Sequence, residues 1–100
     1  MADRLELATF EPLVGETFVA DVEGLGPVDL TLAEAAPSPW QPGPETGLPH
    51  AFHLVFRSSA DYLLDQRMYR MKHGELGDLE IFMTPIARTA EGTDYQAVFS

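Results

Sequence analysis

The chain has 100 residues, 16 of them acidic and 6 basic, for a formal net charge of −10, and it has no cysteine. That length suits a single domain with a thin core, since a chain this size buries only about 60–70% of its unfolded surface. The charge argues against sequence-independent binding to nucleic acid and against a polybasic membrane contact, and the missing cysteines remove disulfides, thiolate zinc sites, iron–sulfur clusters and cysteine nucleophiles.

No apolar run approaches the roughly 18 residues of a transmembrane helix. Met1 to Pro12 holds no apolar signal core behind Arg4. A soluble, cytoplasmic protein is therefore expected.

Turn formers cut the chain into blocks of strand length. They fall at Gly15, Gly24 to Pro27, Gly43 to Pro49, Gly74 to Gly77 and Gly92. Met1 to Val14 is the exception, because Thr9 stands before Phe10-Glu11-Pro12-Leu13. A hydroxyl residue ahead of an acid and an early proline predicts one or two helical turns over Leu5 to Val14. Leu5, Phe10 and Leu13 would pack onto a sheet.

Glu16 to Val22 alternates, with Phe18, Ala20 and Val22 on one face. Val28 to Ala35 turns Val28, Leu30 and Leu32 inward, and Glu23 to Pro27 reads as the hairpin turn between the two. The segment 36–49 holds five of the eight prolines and Trp40. Proline cannot sit in a central strand, so this is a long loop. His50 to Arg57 places Phe52, Leu54 and Phe56 on one face and His53 and Val55 on the other. Ser58 to Asp65 is a connection, with a helical turn expected near Ala60 to Leu64.

Gln66 to His73 sends Tyr69, Met71 and His73 one way and Arg70 and Lys72 the other. After the turn at Gly74 to Gly77, Leu79, Ile81 and Met83 alternate with Glu80, Phe82 and Thr84, and Pro85 is read as the strand's end. Thr93 to Ser100 sets Tyr95, Ala97 and Phe99 against Gln96 and Val98. The fold class is thus all-β with minor α. The expected architecture is a six-stranded antiparallel meander, forming a small barrel or curled sandwich, with a short N-terminal helical turn, over a single domain 1–100.

Chemistry-bearing motifs are scarce. His50 and His53, three apart on a strand, point to opposite faces, and no paired zinc-ligand spacing exists. His73 sits where a strand enters its turn, and no metal or cofactor is expected. Ser58-Ser59 lacks a nucleophile elbow, no phosphate loop is present, and no catalytic residue is assigned. Two outward features remain. Arg57, Arg67, Arg70 and Lys72 are four of the six cations, and three share one strand. Val19, Val55, Phe82 and Val98 place apolar groups opposite the main core, either under the N-terminal turn or in an exposed patch. Trp40, between Pro39 and Pro42, is a stiff aromatic suited to anchoring a partner or to capping the barrel end.

The run Phe10-Glu11-Pro12-Leu13-Val14-Gly15-Glu16-Thr17-Phe18 resembles the opening of an uncharacterised bacterial family of roughly hundred-residue β domains, a domain of unknown function. His50 to Arg57, Leu64 to Tyr69, His73 to Gly77, Glu80 to Phe82, Thr84 to Ile86 and Tyr95 to Phe99 resemble its later blocks, so the match spans about Leu5 to Ser100. The resemblance implies the fold, a weak association with phage-tail-like or collar proteins, and no catalytic residues.

The expected function is a non-enzymatic protein-interaction or assembly protein. It would bind a protein partner or its own copies through Trp40, Val55, Arg67, Arg70, Lys72, Phe82 and Val98, without nucleic acid or membrane. The alternative is a small-molecule-binding barrel or an enzyme with a site at the barrel mouth, lined by Tyr69, His73 and Tyr95. A third reading, a mimic of acidic nucleic acid, fits the charge but not the loop-borne acids.

Overall fold

The structure is a computed structural model that describes residues 6–38, 51–59 and 63–99. A short helix, α1 (Leu7–Phe10), runs into a 3₁₀ turn (Glu11–Leu13). Six strands follow: β1 (Thr17–Val22), β2 (Gly26–Pro37), β3 (Phe52–Ser58), β4 (Arg67–His73), β5 (Gly77–Thr89) and β6 (Gly92–Phe99). All six pair antiparallel and close into a barrel. Among the described residues no helix is long and apolar enough to cross a membrane.

The period-two alternation explains the core. Phe18, Ala20, Leu30, Leu32, Leu54, Phe56, Met71, Ile81, Met83, Tyr95 and Ala97 all point inward and are buried. Each large apolar side chain so buried contributes roughly 1.5–3 kcal/mol, most of it offset by chain entropy.

The order around the ring is β1-β2-β3-β6-β5-β4. A simple meander would pair β3 with β4. Here two three-stranded meanders face each other, with β3 against β6 and β1 against β4. The length of the connection permits this order. Residues 59–66 are too many for a tight turn and link strands on opposite sides of the ring. Leu64, buried in the core, lies on this crossing. Its backbone N–H donates to the Tyr95 hydroxyl at 2.9 Å, and the Tyr69 hydroxyl donates to the Asp65 carbonyl at 2.6 Å. Residues 63–65 are not helical. The rest of the expected turn near Ala60 to Leu64 lies outside the described residues.

The opposite end of the barrel is closed by the N-terminal segment. Phe10 reaches Phe18, Phe52 and Phe99 with ring centroids 5.9–6.4 Å apart, and Phe52 stacks on Phe99 at 4.8 Å. Such aromatic pairs contribute about 0.5–1.5 kcal/mol beyond their buried area. The helix is capped at Glu6 and begins at Leu7, ahead of Thr9. Thr9 lies inside the first turn, and its Oγ1 accepts from the Glu6 N–H at 3.4 Å. Pro12 is the second residue of the 3₁₀ turn, where a missing N–H costs nothing.

Pro85 does not end β5. The strand continues to Thr89 through an irregularity between Pro85 and Ala87. The ladder to β4 stops at Arg67↔Met83, so Pro85 lies where β5 has a partner on one side only and its missing donor leaves no bond unmade. A second irregularity, between Leu32 and Glu34, turns Glu34 outward and lets Ala35 pack on the core.

Candidate functional site

Inside the barrel, Tyr69, Tyr95 and His73 are committed to structure, while the buried Thr93 Oγ1 has no hydrogen-bond partner among the described residues. Tyr69 and Tyr95 hold the crossing at one end, while His73 sits at the other end against Phe18, with ring centroids 4.6 Å apart. The three do not line a common mouth. Burial, aided by Asp65 and Tyr95 and opposed by Arg67, pushes the Tyr69 hydroxyl above the usual tyrosine value.

His73 forms the most connected polar cluster. Its side chain is buried, and Nε2 lies 2.7 Å from Glu16 Oε1. Nδ1 accepts from the backbone N–H groups of Glu75 at 3.0 Å and Leu76 at 3.3 Å. Two donors on Nδ1 fix the neutral tautomer, so Nε2 carries the proton and donates it to Glu16. Glu16, His73 and Glu75 each offer a ligand atom, all within 4.8 Å of one another. A cation on Nε2 would have to displace that proton and move it to Nδ1, against two N–H donors. The arrangement therefore suits a hydrogen-bonded latch, which ties the entry of β1 to the β4–β5 turn, better than a metal centre. Sequence reasoning placed His73 at the turn but missed Glu16, which lies 57 residues away.

The outer surface carries the other candidates. Ladder partners sort it into rows. In one row Asp21, Arg70 and Glu80 stand side by side, with Arg70 Nη2 4.0 Å from Glu80 Oε2. In the next, Val19, Lys72 and Asp78 are aligned. The cations of β4 thus alternate with carboxylates across the strands, and such exposed pairs are worth about 0.2–1 kcal/mol. On the far side of the barrel, Arg57 Nε donates to Asp94 at 2.7 Å and Nη2 at 3.2 Å, pinning β3 to β6. The hydrogen bond and charge of Asp94 hold the Arg57 guanidinium above its ordinary value, with Glu91 adding to the effect.

Met68 on β4 lies directly opposite Phe82 on β5. Thr84↔Gln96 is the last ladder pair of β5 with β6 toward this end, and Phe82 and Val98 lie two residues beyond it on their own strands. Met68 and Phe82 therefore form an apolar cross-strand pair, with Val98 on the neighbouring strand, and the three are 54%, 47% and 62% exposed. Phe10 and Leu13 go to the core instead of covering this face. Val55 shares the outer surface but is half-buried between Glu34 and Gln96, one row away. Met68 went unnamed from sequence, although its place two residues before Arg70 gives it the same outward parity. Trp40 lies outside the described residues.

Arg67 sits apart from the ionic rows. Its guanidinium lies over the Tyr69 ring, 5.8 Å from the centroid. It lines a half-open recess of about 480 Å³ with Asp21, Glu23, Met68, Arg70 and Glu80.

No curated protein and no solved structure matches the chain. The family model described as Domain of unknown function (DUF6916) matches residues 5–99, nearly the whole chain, and the chain belongs to that family.

Proposed function

We propose that this domain is a non-enzymatic protein-interaction or assembly module that works through the outer face of β4, β5 and β6. The observation that carries the reading is the exposed cross-strand pair Met68–Phe82, with Val98 exposed on the neighbouring strand. An exposed apolar pair with a third apolar side chain on the next strand, beside the Arg70–Glu80 ion pair, has the make-up of a small interface with a dry centre and a polar rim. Arg70 and Lys72 belong to that rim and contribute to orientation and encounter rate more than to affinity. Val55 lies at its border, and Trp40 is proposed as an additional anchor. The phage-tail-like or collar setting in a bacterial cytoplasm, implied by the family resemblance, is the assembly in which we place this role.

The test is a paired substitution, Phe82→Asp with Val98→Asp, in the full chain. Both side chains are exposed, so the melting temperature and far-ultraviolet circular dichroism should stay near wild type. Association is read by light scattering across a concentration series and by capture of partners from host lysate. The reading predicts an oligomer, or one partner at near-equal amount, with wild type and neither with the double variant. Unchanged association in a folded double variant removes this face from the proposal.

A further inference from the structure

The chain has no cysteine, so the thioethers of its four methionines are the groups that a mild peroxide oxidises first. The fold shields two of them. Met71 and Met83 point into the barrel, and both are fully buried. Met68 has the outward parity of Arg70 and Lys72 on β4, and about half of it is open to solvent. Met1 lies outside the described residues. A peroxide must reach the sulfur to oxidise it, so of the three described methionines only Met68 is open to attack in the folded chain.

Met68 stands between two surroundings. On one side Phe82 faces it across the β4–β5 ladder, in the proposed contact face. A thioether suits that place, because it is apolar and polarizable and packs well on aromatic rings. On the other side Met68 lines the recess of about 480 Å³, with Arg67, Arg70 and the carboxylates of Asp21, Glu23 and Glu80. Carboxylates only accept hydrogen bonds and guanidiniums only donate them. Of these charged groups, only the two arginines can therefore bond an added oxygen on the sulfur. Arg70 stands 4.0 Å from Glu80, beyond hydrogen-bond distance.

We propose that Met68 is an oxidative modification site, and that its conversion to the sulfoxide by hydrogen peroxide switches the contact face off. In the step, a lone pair of the sulfur attacks one peroxide oxygen. The O–O bond breaks, an S–O bond forms, and the second oxygen leaves as water. Sulfur gives up two electrons and the peroxide takes them. The flexible apolar side chain opposite Phe82 becomes a polar one. A partner seated on the face would have to bury the new oxygen without a hydrogen bond. In the free protein the oxygen turns to Arg67 and Arg70, which draws the side chain off the apolar pair. The switch rests on the protein-interaction reading and regulates that same face.

The test treats the folded full chain with hydrogen peroxide in small excess and locates the added oxygen by peptide mass mapping. Association is then read by light scattering across a concentration series and by capture from host lysate, for wild type and for Met68→Leu. Met68 should gain oxygen well before Met71 or Met83, and the melting temperature should stay near that of the untreated protein, because the site is exposed. Apparent affinity should fall about tenfold or more, the scale of one unbonded polar group in a dry contact. Treatment with methionine sulfoxide reductases should restore it. The association of Met68→Leu should be the same with and without peroxide, which also controls for Met1. Buried methionines oxidised as fast as Met68 overturn the switch while the interaction reading stands. So does a Met68 sulfoxide that associates as before, or a Met68→Leu variant that loses association under peroxide. A reduced wild type that stays monomeric and takes no partner overturns the interaction reading, and the switch with it.

Discussion

Replacing His73 with phenylalanine separates a latch from a metal site. The new ring keeps the packing against Phe18 but removes three hydrogen bonds: from Nε2 to Glu16, and from the Glu75 and Leu76 N–H groups to Nδ1. Each is worth about 0.5–1.5 kcal/mol net, and the two amides sit at a turn where water replaces part of what they lose. A total loss of about 2 kcal/mol is expected, which for a domain of this size lowers the melting temperature by roughly 8–16 °C. Glu16→Gln keeps an acceptor for the Nε2 proton and loses only the charge, so its cost should stay near or below about 1 kcal/mol. Thermal unfolding followed by circular dichroism, with and without added zinc, is the assay. The latch predicts the order wild type, Glu16→Gln, His73→Phe, and no response to zinc in any of them. A zinc-dependent rise in the wild-type melting temperature that His73→Phe abolishes would refute the tautomer argument.

Three further perturbations probe the scaffold that positions these faces. Tyr95→Phe leaves the buried Leu64 N–H without its acceptor and should cost about 1–3 kcal/mol, measured by urea unfolding; a neutral result would mean that the crossing is not pinned there. Gly92→Ala should destabilise more, because φ is +141° and a Cβ would overlap the Ser58 carbonyl oxygen and lie 2.9 Å from its carbon. We expect a loss of about 2–4 kcal/mol, as β3 and β6 must separate locally, and an alanine variant melting like wild type would contradict the close approach. The folded state raises the Tyr69 value above 10.0, so this group's contribution to stability is complete below pH 10 and is lost as pH rises through the folded value. Urea unfolding at stepped alkaline pH should show that decline, and Tyr69→Phe should flatten it.

Much of the fold is written in the alternation. Phe52, Leu54 and Phe56, or Leu79, Ile81 and Met83, can lie on one face only if the chain is extended, and each such run became a strand with that face inward. The ring order was not legible, since nothing in the composition of 59–66 says whether it turns back at once or crosses the barrel. Pro85 misled for a related reason. A proline ends a strand when both sides are paired, and whether both sides are paired is set by β4, far away in sequence. The same holds for the sites. Phe82 and Val98 were legible because parity alone sends them outward. The Glu16–His73 latch depends on β1 meeting β4, a pairing of segments about fifty residues apart that no local pattern carries.

The proposed contact face is made by Met68, Phe82 and Val98. The most direct measurement is amide shift mapping of isotope-labelled protein, with the captured partner added or, for self-association, across a dilution series. With the contact there, perturbed amides cluster on Met68, Phe82, Thr84, Gln96 and Val98, and the Phe82→Asp, Val98→Asp variant shows none. Perturbations centred on the opposite wall, around Asp29, Thr31 and Arg57, would contradict it. So would a wild-type protein that stays monomeric and retains no partner.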